Sequence, residues 1–265
     1  MLLRHPALRA FDFDAAIVDL DGTMVDTLGD FSAALNGMLA DLQLPAITAQ
    51  AIENMVGKGS EHLIRSVLTH VGVKDRPHAP PLRGSLPPEG GLTALAGCRP
   101  GRPGGGDIEA LYPQAWDRYQ HHYLAINGQY AQVYDGVREG LQALRAQGLR
   151  LACLTNKPLA FAQPLLRAKG LDGLFEQVFG GDSFARKKPD PLPLLKTCEA
   201  LGTAPARTLM IGDSSNDARA ARAAGCPVAL VSYGYNHGEP VQAVDADACI
   251  ASLQELTAAP ASLSV

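Results

Sequence analysis

No stretch of the sequence approaches the ~18 uninterrupted apolar residues of a membrane-crossing helix, which argues against a transporter or a helical anchor. Positive charge is not in excess either. Lys+Arg 23 against Asp+Glu 27 give a formal net charge of -4, so no basic face calls for nucleic acid. The opening residues Met1-Leu2-Leu3-Arg4-His5 begin no apolar run long enough for a secretory leader. No C-x-x-C pair is present: Cys98, Cys153, Cys198, Cys226 and Cys249 are scattered, which disfavours a zinc ribbon or a disulfide framework. Several of them sit in or after apolar runs and are expected as small buried hydrophobes in a reduced, cytoplasmic setting. The histidines show no ligand spacing, and His121 and His122, being adjacent, point apart on a helix. A G-x-S-x-G elbow, a Cys/His/Asn set and internal repeats are likewise missing. Gly57-Lys58-Gly59-Ser60 faintly suggests a P-loop, but the G-x-x-x-x-G-K-[ST] order is absent and no strand precedes it. What remains is an ordinary globular balance, 46% hydrophobic and 19% charged over 265 residues, enough for one large domain or two modest ones.

Within that balance one stretch organises the rest: Ala15-Ala16-Ile17-Val18-Asp19-Leu20-Asp21-Gly22-Thr23. A short apolar run bounded by polar and turn residues predicts a strand buried on both faces of a parallel sheet. Residues two apart on a strand face the same way, so Asp19 and Asp21 are expected to start on one side. Gly22 lets the backbone turn sharply just past them. Two acids at the mouth of an apolar strand repel each other and lose hydration unless a cation joins them. Oxygen ligands favour a hard divalent ion, Mg²⁺. The plainer alternative is a pair of acids capping a surface turn.

Helical periodicity follows in Phe31, Leu35, Met38, Leu39 and Leu42, then over about 49–55, then in Leu63, Val67 and Leu68 beyond the turn Gly57-Lys58-Gly59. From about 76 to 107 periodicity lapses. Pro80-Pro81, Pro87-Pro88, Gly90-Gly91 and Gly104-Gly105-Gly106 punctuate a segment expected as a long, poorly ordered surface insertion. A helix carrying Trp116 runs from 107 to about 124. Beyond Tyr134, helices and strands alternate: strands over about 149–154, 176–179, 208–211, 228–231 and 248–250, with helices between most of them. Such alternation predicts an α/β fold, a parallel sheet with helices on both faces. The first strand needs that sheet, yet an all-helical block separates the two. A discontinuous core of 1–26 plus 133–265, with a helical cap at 27–132 inserted into it, is the simplest topology.

Ligands of open α/β sheets bind beyond the carboxyl ends of the strands. The residues found there are Asp19 and Asp21, then Thr155-Asn156-Lys157-Pro158, then Arg186-Lys187-Lys188-Pro189, then Gly212-Asp213-Ser214-Ser215-Asn216-Asp217. Carboxylates, a hydroxyl, an amide and a lysine suit a phosphate dianion held with Mg²⁺. Phosphoryl transfer depends on in-line positioning and on neutralising the equatorial oxygens. Asp19 is the candidate nucleophile, and Asp21 the candidate acid and base. Thr155 and backbone N–H groups near Asn156 would hold phosphate oxygens, and Lys188 would supply fixed positive charge. Asp213 would complete the metal site, with Ser214 or Asp217 behind it. Each has a plainer use taken singly: Thr155, Asp213 and Asp217 as helix caps, Lys188 as a solvated loop lysine.

Together these residues resemble the haloacid-dehalogenase-like superfamily of phosphatases. Its four motifs are matched in order by Asp19-Leu20-Asp21-Gly22-Thr23, Thr155-Asn156, Lys188-Pro189 and Gly212-Asp213-Ser214-Ser215-Asn216-Asp217. The resemblance implies a Rossmann-like core with an inserted helical cap, and hydrolysis through an aspartyl-phosphate. It also implies magnesium held by Asp19, by the backbone carbonyl of Asp21 and by Asp213. Leu154-Thr155-Asn156-Lys157-Pro158, Ala223-Ala224-Gly225-Cys226-Pro227 and Tyr233-Gly234-Tyr235-Asn236-His237-Gly238-Glu239 are similar to runs of the bacterial phosphoglycolate phosphatase subgroup, as Val56-Gly57-Lys58-Gly59 is to its cap loop. A small phosphorylated substrate, 2-phosphoglycolate, is what that implies, with Lys58 a candidate for its carboxylate. A sugar-phosphate mutase or a dehalogenase would share the fold, although dehalogenation has no use for Asp21 as an acid. A non-catalytic phosphate-binding module would not need Asp19, Asp21 and Lys188 all intact.

Overall fold

Ala15-Ala16-Ile17-Val18 forms the expected strand, β1 (Ala15–Val18), and all four residues are buried. The structure is a computed structural model that describes residue 3, residues 5–74 and residues 107–257. The expected insertion at about 76–107 lies outside the described residues apart from Asp107, as does Cys98. Asp107 bridges Lys74 and, through its side chain, caps the helix that follows.

β1 lies at the centre of a six-stranded sheet with β4 (Arg150–Leu154), β5 (Gln177–Phe179), β6 (Thr208–Gly212), β7 (Val228–Val231) and β8 (Ala248–Ile250). The order is β5-β4-β1-β6-β7-β8, and every pairing is parallel. Along the chain the strands step outward from β1 to one edge, then return to its other side and step outward again. That reversal is the switch point at which doubly wound sheets open a crevice.

The strand period of two sorts the core into two layers. Ala16, Val18, Leu151, Cys153, Leu209 and Ile211 pack against α5 (Val137–Ala146) and α6 (Leu159–Ala168). Ala15, Ile17, Ala152, Leu154 and Met210 pack against α7 (Leu192–Leu201) and α8 (Ser215–Ala224) on the other face. The fold is α/β and Rossmann-like. The irregular lead-in buries Leu3, Leu8 and Phe13 in the first of these layers.

Between β1 and α5 come the helices α1 (Leu28–Asp41), α2 (Ala49–Glu53), α3 (Ser60–His70) and α4 (Ile108–Ile126). They build a further hydrophobic cluster from Phe31, Leu35, Met38, Leu63, Val67, Tyr119 and Tyr123 among others, into which Phe161 of α6 and Tyr235 also pack. Sequence periodicity shows those helices but misses what flanks them: an antiparallel ribbon of β2 (Val25–Asp26) and β3 (Gln132–Val133). Strands of two residues are too short to carry a period. Nearby, Asp30 is fully buried and accepts from Gly128 N (2.6 Å) and Tyr130 N (2.8 Å), tying the start of α1 to the chain leaving α4. Of the described cysteines, Cys153, Cys198 and Cys226 are buried and free, as expected of several, whereas Cys249 is exposed. It is the middle residue of β8 and faces away from the core, as the burial pattern of that strand shows.

Candidate active site

β1 ends at Val18, before the acids, so the period-two expectation for Asp19 and Asp21 does not describe their placement. Asp19 still donates its N–H to Ile211 O (2.9 Å), continuing the ladder by one residue. Asp21 belongs to the turn that follows, which Gly22 makes possible at φ 81°. Asp19 Oδ1 lies 2.9 Å from Lys188 Nζ. Asp21 Oδ1 accepts from Thr27 Oγ1 (2.9 Å) and from Lys157 Nζ (2.9 Å). The two carboxylates thus have different cations.

Lys188 is buried, and its ammonium also donates to Leu154 O (2.8 Å) and pairs with Asp217 Oδ1 (2.8 Å). The plainer picture of a solvated loop lysine does not describe it. Asp217 serves two ends: Oδ2 accepts from Ser214 N (3.2 Å) and Ser214 Oγ (2.9 Å), capping α8, while Oδ1 faces Lys188. Asp213 Oδ2 accepts from Tyr235 N at 2.6 Å. Thr155 Oγ1 accepts from Lys157 N (3.2 Å), so the hydroxyl stiffens its own loop, while Pro158 occupies the N-cap position of α6. Asn156 Nδ2 donates to Lys188 O (2.8 Å) and Gly57 O (3.1 Å), and Asn216 Nδ2 donates to the same Gly57 carbonyl (3.3 Å).

Among the described residues Asp19, Asp213 and Asp217 each offer a carboxylate oxygen, and these atoms lie within 4.8 Å of one another. All three residues are buried, and one ammonium, Lys188, faces Asp19 and Asp217. Burial pushes the Asp19 carboxyl up to about 7; Lys188 works against that rise and Asp217 adds to it. Burial, followed by the charges of Asp217 and Asp19, holds Asp213 well above the usual carboxylate range. For Lys188, burial opposes the charge, but the Asp19 and Asp217 carboxylates outweigh it and raise the pKa. The shared cause is surplus negative charge in a dry place, which a divalent cation would offset. The donor set, carboxylate oxygens without sulfur or imidazole, fits Mg²⁺. The backbone leaves room for little else. A Cβ at Gly22 would lie 2.1 Å from Asp213 Oδ2, and one at Gly234 would lie 2.2 Å from Asp213 Cβ.

A cavity with about 20 Å³ of free space, roughly room for one water, opens beside this cluster. Asp19, Asp21, Thr155, Asn156 and Lys157 line it from the strand ends. Phe31, Val56, Gly57, Gly59, Ser60 and Leu63 line it from the helical side. Lys58 is exposed and lines an outer groove with His62, Arg65, Lys187 and Arg219 instead, so the structure does not bring it to the enclosed cavity. Lys157 stands in the second loop with no role that its sequence run assigns. A lysine's burial has no signature in its own run. Gly234 and Tyr235, which confine Asp213, were seen only as part of a similar run.

Comparison with known proteins places this geometry in a family. A profile of haloacid dehalogenase-like hydrolases matches residues 16–231. The chain is 42% identical over 241 residues to a phosphoglycolate phosphatase of Thiobacillus denitrificans, covering 91% of this chain and 92% of that protein. It is 39% identical over 244 residues to a plasmid-borne phosphoglycolate phosphatase of Cupriavidus necator, covering 92% and 91%. Among solved structures, a crystal structure described as a predicted phosphoglycolate phosphatase from Haemophilus somnus superposes with a TM-score of 0.76 at 28% identity, covering 91% of this chain and 95% of that one.

Proposed function

This chain belongs to the haloacid dehalogenase-like hydrolase family, and on that premise we propose that it is a Mg²⁺-dependent phosphoric monoester hydrolase whose substrate is 2-phosphoglycolate. The single observation carrying this reading is the convergence of Asp19, Asp213, Asp217 and Lys188 at one rim of the sheet, with Asp21 on the same cavity. The relatives named for phosphoglycolate hydrolysis supply the substrate. The division into a core of 1–26 and 133–265 and a cap of 27–132 goes with this reading and is supported by a further hydrophobic cluster drawn chiefly from α1, α3 and α4. So does a cytoplasmic setting, supported by the free buried thiols.

Asp19 attacks phosphorus, forming an O–P bond as the bond to the substrate's alkyl oxygen breaks. Asp21 delivers its proton to that departing oxygen, and glycolate leaves. Asp21, now ionised, takes a proton from water; the water oxygen attacks phosphorus, the bond to Asp19 breaks, and phosphate is released. Lys188 holds Asp19 in place and supplies fixed positive charge to the phosphoryl oxygens. Thr155 and the backbone N–H groups around Asn156 line the position those oxygens would take. Mg²⁺, held by Asp19, Asp213 and the Asp21 backbone carbonyl, with Ser214 and Asp217 fixing the loop behind, would offset the repulsion between carboxylate and phosphate. The test is a phosphate-release screen over small phosphomonoesters with and without Mg²⁺. Metal-dependent release that is highest for 2-phosphoglycolate is the expected result; turnover unaffected by chelation would overturn the reading.

A further inference from the structure

Lys157 is the least explained charge in the molecule. Only 4% of it is exposed, a burial that lysine avoids unless it is paired. Its ammonium has a carboxylate partner in Asp21, with Oδ1 at 2.9 Å and Oδ2 at 3.2 Å. It also lies 4.4 Å from the Phe31 ring centroid and 4.7 Å from that of Tyr123. An ammonium has three N–H donors. Asp21 occupies one side of it and the two ring faces attract it from others, so part of its donor capacity stays open toward the cavity that Lys157 lines. The buried hydroxyl of Tyr123 has no hydrogen-bond partner among the described residues. Burial, and after it the Asp21 charge, raises the pKa of that phenol far above neutrality, which keeps it a donor. A buried ammonium that lines a small cavity without a full set of acceptors, next to a ring whose hydroxyl is also unpartnered, calls for an anion that is not part of the protein.

The phosphoryl group has a cation of its own in Lys188, which pairs with Asp19, the residue that attacks it in the reading above. Lys157 instead stands at Asp21, where the leaving oxygen and whatever is attached to it must lie. We propose that Lys157 recognises the carboxylate carried by the leaving group, and so selects phosphorylated 2-hydroxycarboxylates over neutral phosphomonoesters of the same size. The inference rests on the phosphatase reading above and gives that site its substrate class. It assigns to a buried lysine of the core what the sequence suggested for the exposed Lys58.

The test compares 2-phosphoglycolate with its neutral amide, 2-phosphoglycolamide, by phosphate release. Wild-type protein is expected to favour the acid in kcat/KM by about 10- to 100-fold, the range for a charged hydrogen bond. In Lys157→Met the ratio of the two kcat/KM values should fall to within about threefold of unity, whatever the absolute rates, and Lys157→Arg should restore a preference for the acid. The ratio cancels general damage to the fold, and the wild-type comparison needs no variant at all. A wild-type enzyme that hydrolyses both esters equally well would sink the inference and leave the phosphatase reading standing. So would a Lys157→Met enzyme that keeps the full preference. A wild-type enzyme that hydrolyses neither would overturn both together.

Discussion

The two walls of the cavity are built on opposite plans. The wall from the strand ends presents Asp19, Asp21, Thr155, Asn156 and Lys157, every one hydrogen-bonded or ion-paired to a neighbour. The wall from the helices presents Phe31, Val56, Gly57, Gly59, Ser60 and Leu63, chiefly apolar side chains and bare backbone. Charge that must be aimed is fixed where β1, β4 and β6 hold it on a buried sheet. The helical wall supplies shape and the exclusion of water, which strengthens every electrostatic contact opposite it. Among the described residues, contacts between the two sides include the Gly57 carbonyl held by Asn156 and Asn216, the Lys157 ammonium beside two helical rings, and Phe161 of α6 against Tyr119 and Tyr123.

If that division is right, damage to the strand-end wall should appear in kcat and damage to the helical wall in KM. The largest effect is expected from Asp19→Asn, which removes the proposed nucleophile and should lower kcat by about 10⁴-fold or more, measured as phosphate release under saturating substrate. Asp21→Asn should cost about 10²- to 10⁴-fold in kcat and flatten the pH profile. Gly234→Ala places a Cβ against Asp213 and should weaken Mg²⁺ activation by roughly 10- to 100-fold, read as the Mg²⁺ concentration giving half-maximal rate. Asn216→Ala loosens one hold on Gly57 and should raise KM a few-fold while leaving kcat nearly alone; an equal fall in kcat would erase the distinction between the walls.

A stability measurement sharpens the same contrast. Burial holds the folded pKa of Asp19 up at about 7, above the ordinary carboxyl value of 3.8. The metal-free folded state therefore holds a proton that the unfolded chain gives up at lower pH. Its contribution to stability is full below pH 3.8 and is lost as pH rises through about 7. Chelated protein should melt lower at pH 8 than at pH 5.5 through this group. Saturating Mg²⁺ should restore roughly 5–10 °C at the higher pH, and Asp19→Asn should reduce the pH dependence, leaving the share that the raised Asp213 carboxyl contributes.

Much of the strand-end wall was legible in the sequence, because each part follows an apolar run that can only be a buried strand. Asp19, Thr155 and Asp213 each stand directly beyond such a run, and parallel pairing brings the ends of those runs to one edge. The helical wall was legible only as helices. Its apolar periodicity gives the faces of α1, α3 and α4, but not which of Gly57, Lys58 and Gly59 looks inward, since a turn has no period. Lys157 was hidden for a related reason: its burial depends on Phe31 and Tyr123, which are 126 and 34 residues away in the chain. The ribbon of β2 and β3 was hidden by its brevity.

That ribbon has a mechanical consequence. The chain leaves the sheet at Val25–Asp26 and returns at Gln132–Val133, and the outbound and inbound passages are zipped side by side. Just above the zip, Asp30 clasps Gly128 and Tyr130. With the two crossings fused into one strap, the placement of the helices is tied to the backbone that carries Asp19 and Asp21. The strap and the acids share a few residues of chain: Val25 comes four residues after Asp21.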